Sequence, residues 1–455
     1  MSVVLNPARA IGAAPPATDA RPYPAAVLGW WALTVFTIAL VVAYADRQVL
    51  NLLVDPVRAD LGISDTQISL LQGAAFALFY ATAGVPLGRA ADIFPRRAVI
   101  VAGVLGWSAS AFACGLAATY GQLFLARLCV GFGEAALLPA ALSILADYFP
   151  PTRRGTAIGV IIVGAATGNA VATLIGGFMY GAVKVGAFNW VPGIAGVHAW
   201  RAVFFLISAP GALVALLVLT VREPVRRALP GGADRASLKE ALAEFRARAG
   251  ALVPIYVSLA LMGVSSFTMI AWAPALLSRR YGLSPSEIAA QLGLIAMVGG
   301  VIGSLGMAMI GDAVTRRWGK SARLALAAVV ALTAAIGAGV GLASSALQVS
   351  LLAGASTFGT AGSMAIASAS IQDVVSGRIR GVSAALVSLA AVLVGMSFGP
   401  TLVALVTDAI YHDPAALGWS ITTVGVPAAI AGAAALWWGH DSLRRKPELA
   451  ADSGY

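Results

Sequence analysis

GRAADIFPRR (residues 88–97) decides how the rest of the chain is read, because a version of it occurs a second time. Shifted by 220 residues it lies on AMIGDAVTRR (308–317), matching Asp92 to Asp312 and Arg96-Arg97 to Arg316-Arg317. The same shift puts LGISDTQI (61–68) on YGLSPSEI (281–288), where Gly62 meets Gly282, Ser64 meets Ser284 and Ile68 meets Ile288. Both stretches carry a capping box at a helix start, Ser64 with Gln67 and Ser284 with Glu287. Near a shift of 226, DYFPPTRRG (147–155) lies on DVVSGRIRG (373–381). Three matched segments predict two related halves, 25–221 and 251–438, joined by a charged linker at 222–250.

What lies between these loops is apolar. The 455 residues are 59% hydrophobic and 11% charged, against roughly a quarter charged in a soluble domain. Runs of about 20 apolar residues, each able to cross a bilayer, recur twelve times: 26–54, 66–90, 97–118, 121–149, 154–183, 201–221, 251–281, 286–311, 321–343, 346–373, 380–411 and 415–438. The expected fold is therefore all-α and membrane-embedded, with twelve helices in two pseudo-symmetric six-helix bundles. Residues 1–24 and 439–455 read as tails, the first Ala/Pro-rich and without the apolar core of a secretory signal. Cys114 and Cys129 both fall within predicted helices, where a buried small apolar residue is expected.

The net charge of +10 is an orientation signal rather than a nucleic-acid surface. Of the 30 Lys and Arg, 23 fall on the side that holds both chain ends, five on the other side and two inside spans. This asymmetry predicts that both ends are cytosolic. With 26 Arg to 4 Lys and abundant Ala, a bacterial inner membrane is the expected location. The partners expected are a small molecule, protons and the bilayer, with no nucleic acid and a monomeric chain.

GRAADIFPRR resembles the loop between helices 2 and 3 of the major facilitator superfamily, although Ile93 and Pro95 stand where that pattern has a basic residue and a Gly. RLCVGFGEAALLPAALSILADYFPPTRRG (127–155) is similar to that family's helix 4 signature, and the resemblance extends over residues 25–440. ADRQVLNLLVDPVRADLGISDTQISLLQGAAFALFYATAGVPLGRAAD (45–92) resembles the Spinster branch, whose animal members export lipids such as sphingosine-1-phosphate. The resemblance implies alternating access around a site between the halves.

Four charges sit deep in apolar runs: Asp46 and Arg47 in the first, Arg127 and Glu134 in the fourth. At about 1.5 Å per residue, Asp46 and Arg47 lie roughly 12–14 Å below the outer end of their helix, and Arg127 and Glu134 roughly 9 and 20 Å below theirs. Arg127 and Glu134 share one helix face, so one charge-paired network is expected. The repeat sharpens this, since the matched positions in the second half are Ser266, Phe267, Ala353 and Thr360. Loops recur but membrane charges do not, which favours a task over scaffolding; a structural lock between two helices is the plainer alternative. Burial favours the protonated carboxyl and a nearby Arg favours the carboxylate, so a proton could be exchanged as that balance changes. The Spinster resemblance implies Asp46, Arg47 and Glu134 as the proton and head-group site.

The loop residues Asp92, Arg96, Arg97, Asp147, Arg154, Asp312, Arg316, Arg317, Asp373 and Arg380 are candidates for gating. The resemblance implies that Asp92 lies near the start of helix 11 (Arg378, Arg380, Gly381), worth about 0.3–1 kcal/mol from the helix dipole alone. Asp312 would mirror it against Arg154 and Gly155; simple capping is the alternative. Candidate cavity-lining residues are Tyr44, Phe76, Tyr80, Asn169, Ser266, Phe267, Trp272, Thr357 and Thr360. Thr167, Thr173, Ser265, Thr268, Ser356, Ser363, Ser388 and Ser397 are further small polar residues in membrane helices, where packing is the commoner role.

GFGEAA (131–136) imitates a dinucleotide fingerprint but lies mid-helix with no preceding strand, and no GxxxxGK[ST] occurs. His198, His412 and His440 are scattered, so no metal and no cofactor is expected. The function expected is proton-coupled transport of an amphiphilic or lipid-like small molecule, an anionic one included, by alternating access, not enzymatic turnover. A proton symporter for a small organic anion and a non-transporting membrane sensor are the alternatives.

Overall fold

Alternating stretches of Ala, Leu, Val and Ile form long helices, and they stop where proline or glycine forces a stop. The computed structural model describes residues 22–226, 238–376, 379, 383, 386–387 and 389–449. Its membrane helices are α1 (Ala26–Leu52), α2 (Asp65–Ile93), α3 (Arg96–Leu116), α4 (Tyr120–Tyr148), α5 (Pro151–Lys184), α6 (Ala199–Thr220), α7 (Ala249–Tyr281), α8 (Pro285–Trp318), α9 (Lys320–Leu342), α10 (Ala346–Val374), α11 (Leu389–Tyr411) and α12 (Pro414–Arg445). Eleven of them are long and apolar enough to cross a membrane, and α5, of 34 residues, takes the place of the fifth predicted span. Among the described residues there is no strand.

Local chemistry explains the boundaries. The first helix stops at Leu52, not 54, because the ring of Pro56 is incompatible with a helical carbonyl four residues back. A short helix, Val54–Leu61, then leads to the capping box that opens α2, which is formed as expected, as is its counterpart at Ser284. Gly62 and Gly282, the matched pair, both adopt left-handed backbone, with φ of 61° and 68°. Pro139 interrupts α4 at Ala135–Ala136, immediately after Glu134.

Within the first half α1 packs on α5 and α3 on α4; within the second, α7 and α9 pack on α12, and α9 on α10. The halves meet along α5 with α8 and α2 with α11, two pairs exchanged by the internal symmetry. Glycine makes these crossings possible. A Cβ on Gly73 of α2 would stand 1.9 Å from the Met396 carbonyl oxygen of α11, and one on Gly177 of α5 2.5 Å from the Pro285 oxygen of α8.

Two expectations need correction. The second copy of the loop motif is not a loop: α8 runs helical through Asp312, Arg316 and Arg317 to Trp318, because nothing breaks it before Gly319 (φ 85°), whereas Pro95 ends the first copy at Ile93. And only Cys114 is buried; Cys129, on α4, is exposed.

Candidate functional site

The kink in α4 sets the acid of the site. Glu134 is 2% exposed and accepts from Arg47 of α1, with Nε at 2.6 Å from Oε2 and a second nitrogen closer still. Arg47 lies in an aromatic enclosure, its guanidinium carbon 4.2 Å from the Phe76 ring centre, 5.1 Å from Tyr80 and 5.2 Å from Tyr44. Such faces attract a cation that has lost its water.

Arg127 belongs to the same cluster but bonds differently from the expected pairing of four charges. Its Nη1 donates to the backbone oxygen of Asp46 at 3.1 Å and its Nε to that of Leu71 at 3.4 Å, beside a π-bulge in α2 at Leu70–Ala74. The Asp46 carboxyl is 1% exposed and neither oxygen has a hydrogen-bond partner, nor do Arg127 Nη2 and Glu134 Oε1. One ion pair is closed and the rest of the network is half satisfied.

The cluster borders a cavity between the halves. Arg47, Tyr44, Gln72, Phe267 and Met396 line a chamber of about 230 Å³. It shares Gln48, Asn51, Asn169, Ser266, Ile270 and Met364 with a second chamber of about 270 Å³ that Thr173, Thr357 and Thr360 also line. Phe76 and Trp272, expected in the wall, are fully buried; Trp272 Nε1 donates to the Pro400 oxygen at 2.9 Å and is core, while Phe76 stacks on Tyr80 behind Arg47. Gln48, Asn51 and Gln72 were not among the predicted lining residues, although three carboxamides within apolar runs are a legible signal.

The ties between the halves gather at mid-depth and at the face opposite the chain ends. Arg279, in the last turn of α7, donates to both oxygens of Asp65 at 2.7 and 2.8 Å and to Asp55 at 2.8 Å. Thr66 donates to Asp408 through its hydroxyl at 2.7 Å and its amide at 3.2 Å. None of these residues was singled out from sequence, though Arg279 is one of only five basic residues expected on that face.

At the face of the chain ends, the gating candidates bond within their own halves. Arg96 is buried and donates to Asp147 (2.5 Å), Ser143 (3.0 Å) and Glu223 (2.9 Å), and Glu223 also accepts from the amides of Arg96 and Arg97. Partial burial works against ionisation of Glu223, but the Arg96 and Arg97 hydrogen bonds prevail and hold its carboxyl below the usual carboxylate range. In the second half Arg323, not Arg316 or Arg317, bridges Asp312 (2.6 Å) and Asp373 (2.9 Å). Arg316 and Arg317 are exposed, an outcome of the extended α8. Asp312 therefore does not meet Arg154, which donates to the Ala146 oxygen. Asp92 lies 3.9 Å from Arg89 and its own backbone oxygen accepts from Arg226. The expected partners Arg378, Arg380 and Gly381, and Ser388 of the same helix, lie outside the described residues, as does the side chain of Thr167. Among the described residues no group of His, Cys, Asp and Glu could hold a metal.

Known proteins share this architecture. The chain is 28% identical over 422 residues to an MFS-type efflux pump of Mycolicibacterium smegmatis, which covers 91% of this chain and 94% of the pump. The structure of a bacterial homologue of the human lysosomal transporter Spinster, inward-facing and unoccupied, matches with a TM-score of 0.80 and 25% identity over 94% of this chain and 99% of that one. The occupied, inward-facing form of that homologue matches with a TM-score of 0.77 and 25% identity, over 93% and 98% of the two chains. The family model of the Major Facilitator Superfamily matches residues 36–400, across both halves and the cavity between them. This chain of two six-helix bundles belongs to the major facilitator superfamily.

Proposed function

We propose that the protein is a proton-coupled secondary transporter that exports an amphiphilic, lipid-like molecule across the bacterial inner membrane, with both chain ends cytosolic. The likeness to inward-facing Spinster structures and the Arg279 and Thr66 ties at the far face support reading this state as open to the cytosol. The observation that carries the coupling is the half-satisfied charge network: a closed Arg47–Glu134 pair beside an Asp46 carboxyl with no partner. Buried polar groups without partners are costly, so such a network is held for what it does in another protonation or conformational state. With the molecule open to the outside, Glu134 takes up a proton, its hold on Arg47 weakens and the guanidinium turns to Asp46, a rearrangement that releases the substrate on that side. Opening to the cytosol would return the proton to water and restore the pair, so that proton entry drives substrate exit.

A symporter for a small anion is favoured less, because Arg47 is the single basic residue in the described cavity wall and Glu134 already occupies it. The test is proton movement in proteoliposomes followed with a pH-sensitive dye, with a long-chain lysolipid and then a small organic acid added. Proton flux driven by the lysolipid supports the proposal, and flux with the small acid alone overturns it.

A further inference from the structure

The cavity wall contains a run of four carboxamides that the charge network leaves unexplained. Gln72 Nε2 donates to Asn51 Oδ1 at 3.1 Å and to the Ala271 backbone oxygen at 3.1 Å. Asn51 Nδ2 donates to Gln48 Oε1 at 2.8 Å, and Gln48 Nε2 donates to Asn169 Oδ1. The order has one sense. A backbone carbonyl only accepts, so the end of Gln72 that faces Ala271 is its amino end, and every later amide follows in turn. The series therefore starts at a backbone oxygen of α7 in the second half and ends on the Asn169 amino group, which has no acceptor among the described residues and lies in the cavity wall. Hydrogen bonds in series polarise one another, which makes the last donor a stronger one.

Two further observations point to a ligand. Gln72 is 4% exposed, lines the smaller chamber, and its Oε1 has no partner. Across the larger chamber, Thr357 and Thr360 spend their hydroxyl protons on their own helix, on Ala353 O at 2.8 Å and Ser356 O at 2.9 Å, so they offer only acceptor lone pairs. The wall presents a donor at Asn169 and acceptors at Gln72, Thr357 and Thr360, with no free charge.

From this geometry we infer that the substrate's head group is recognised at the Gln48–Asn51–Gln72–Asn169 carboxamide series as a neutral group carrying both donor and acceptor, a hydroxyl or an amide, and not through an ion pair. This names the substrate class of the transporter proposed above and rests on that reading. An uncharged head leaves the buried charges to the proton, whereas an ionic head at this wall would find its counter-ion already paired. Because Gln72 reaches across to Ala271, the series also ties the recognising wall to the second half.

The experiment compares amphiphiles with one twelve-carbon chain and different heads, so that chain burial cancels: monolauroylglycerol, lauroyl ethanolamide, laurate, dodecyl phosphate and dodecyltrimethylammonium. Binding to the purified full-length protein in amphipol is read by thermophoresis, and each compound is also added to the proteoliposome proton assay. The glycerol and ethanolamide heads should bind about tenfold more tightly than laurate or dodecyl phosphate. Asn169→Leu should remove that preference, while Asn169→Gln should keep part of it. Tighter binding of a charged head, or a neutral preference untouched by Asn169→Leu, overturns the inference and leaves the transport reading standing. Neutral heads that bind without moving protons keep the subsite and overturn the coupling. The ranking on the unsubstituted protein needs no variant, so a misfolded Asn169→Leu does not shield the inference.

Discussion

At the scale of single residues, the decisive fact is how few charges the membrane interior tolerates and how differently they are satisfied. Arg47 has a carboxylate and three rings; Asp46, its sequence neighbour, has no partner for its carboxyl. Replacing Glu134 by Gln keeps the shape but removes both the charge and the proton. Substrate-dependent proton flux in proteoliposomes should fall by at least about tenfold, equivalent to ~1.4 kcal/mol of coupling. Binding of substrate without a pH gradient should fall much less. Equal flux in Glu134→Gln and the unsubstituted protein would remove Glu134 from the mechanism. Of this set, the membership of Asp46, Arg47, Arg127 and Glu134 was legible because charges stand out in apolar runs. Their pairing was not, since a sequence position does not say which way a guanidinium turns.

At the scale of elements, breaks in helices position the chemistry. Pro139 removes one backbone hydrogen bond from α4 and places the interruption just after Glu134. Pro139→Ala should straighten α4 and raise thermal stability, by about 1 kcal/mol or less, while lowering transport. A variant that is as active as the original protein would show that the kink is incidental.

A second element-scale anchor is Glu223, which accepts both backbone amides at the start of α3 and the Arg96 side chain. Its carboxyl is held below the usual range, so the stability it contributes is present above the unfolded carboxylate value of about 4.3 and is lost as pH falls through the lower folded value. Glu223→Gln should therefore melt at a lower temperature than the unsubstituted protein at pH 7, by about 1.5 kcal/mol in stability. The two melting temperatures should converge below about pH 4. A gap that persists unchanged into acid would mean the charge is not the cause.

The duplicated motif is also instructive at this scale. Asp147 and Asp373 match by repeat and both accept from an Arg, yet the donors, Arg96 and Arg323, do not occupy matched positions. Pro95 in one copy and an unbroken α8 in the other explain the difference.

At the scale of the whole molecule, the transport proposed depends on which face is held shut. The Arg279 clasp on Asp55 and Asp65 and the close passage of Gly73 under Met396 both hold the far face together. Arg279→Ala should cost the closed face about 2 kcal/mol, and Gly73→Ala should wedge the same crossing open from within. Spin labels placed on the far ends of α1 and α7 should report a longer-distance population in both variants by pulsed electron resonance. Unchanged distances in both would show that other contacts hold the halves.

By itself the sequence established the membrane class, the twelve apolar runs, the repeat, the superfamily resemblance and the four charges within the spans. These are local or periodic properties, written in composition and spacing. Only the tertiary structure decided that Arg47 pairs with Glu134 while Asp46 does not, that Arg323 takes the role expected of Arg316, that Trp272 is core, and that four carboxamides from α1, α2 and α5 join in series. Such pairings depend on the angle at which two helices cross and on one rotamer over another, and residues far apart in sequence carry no record of either.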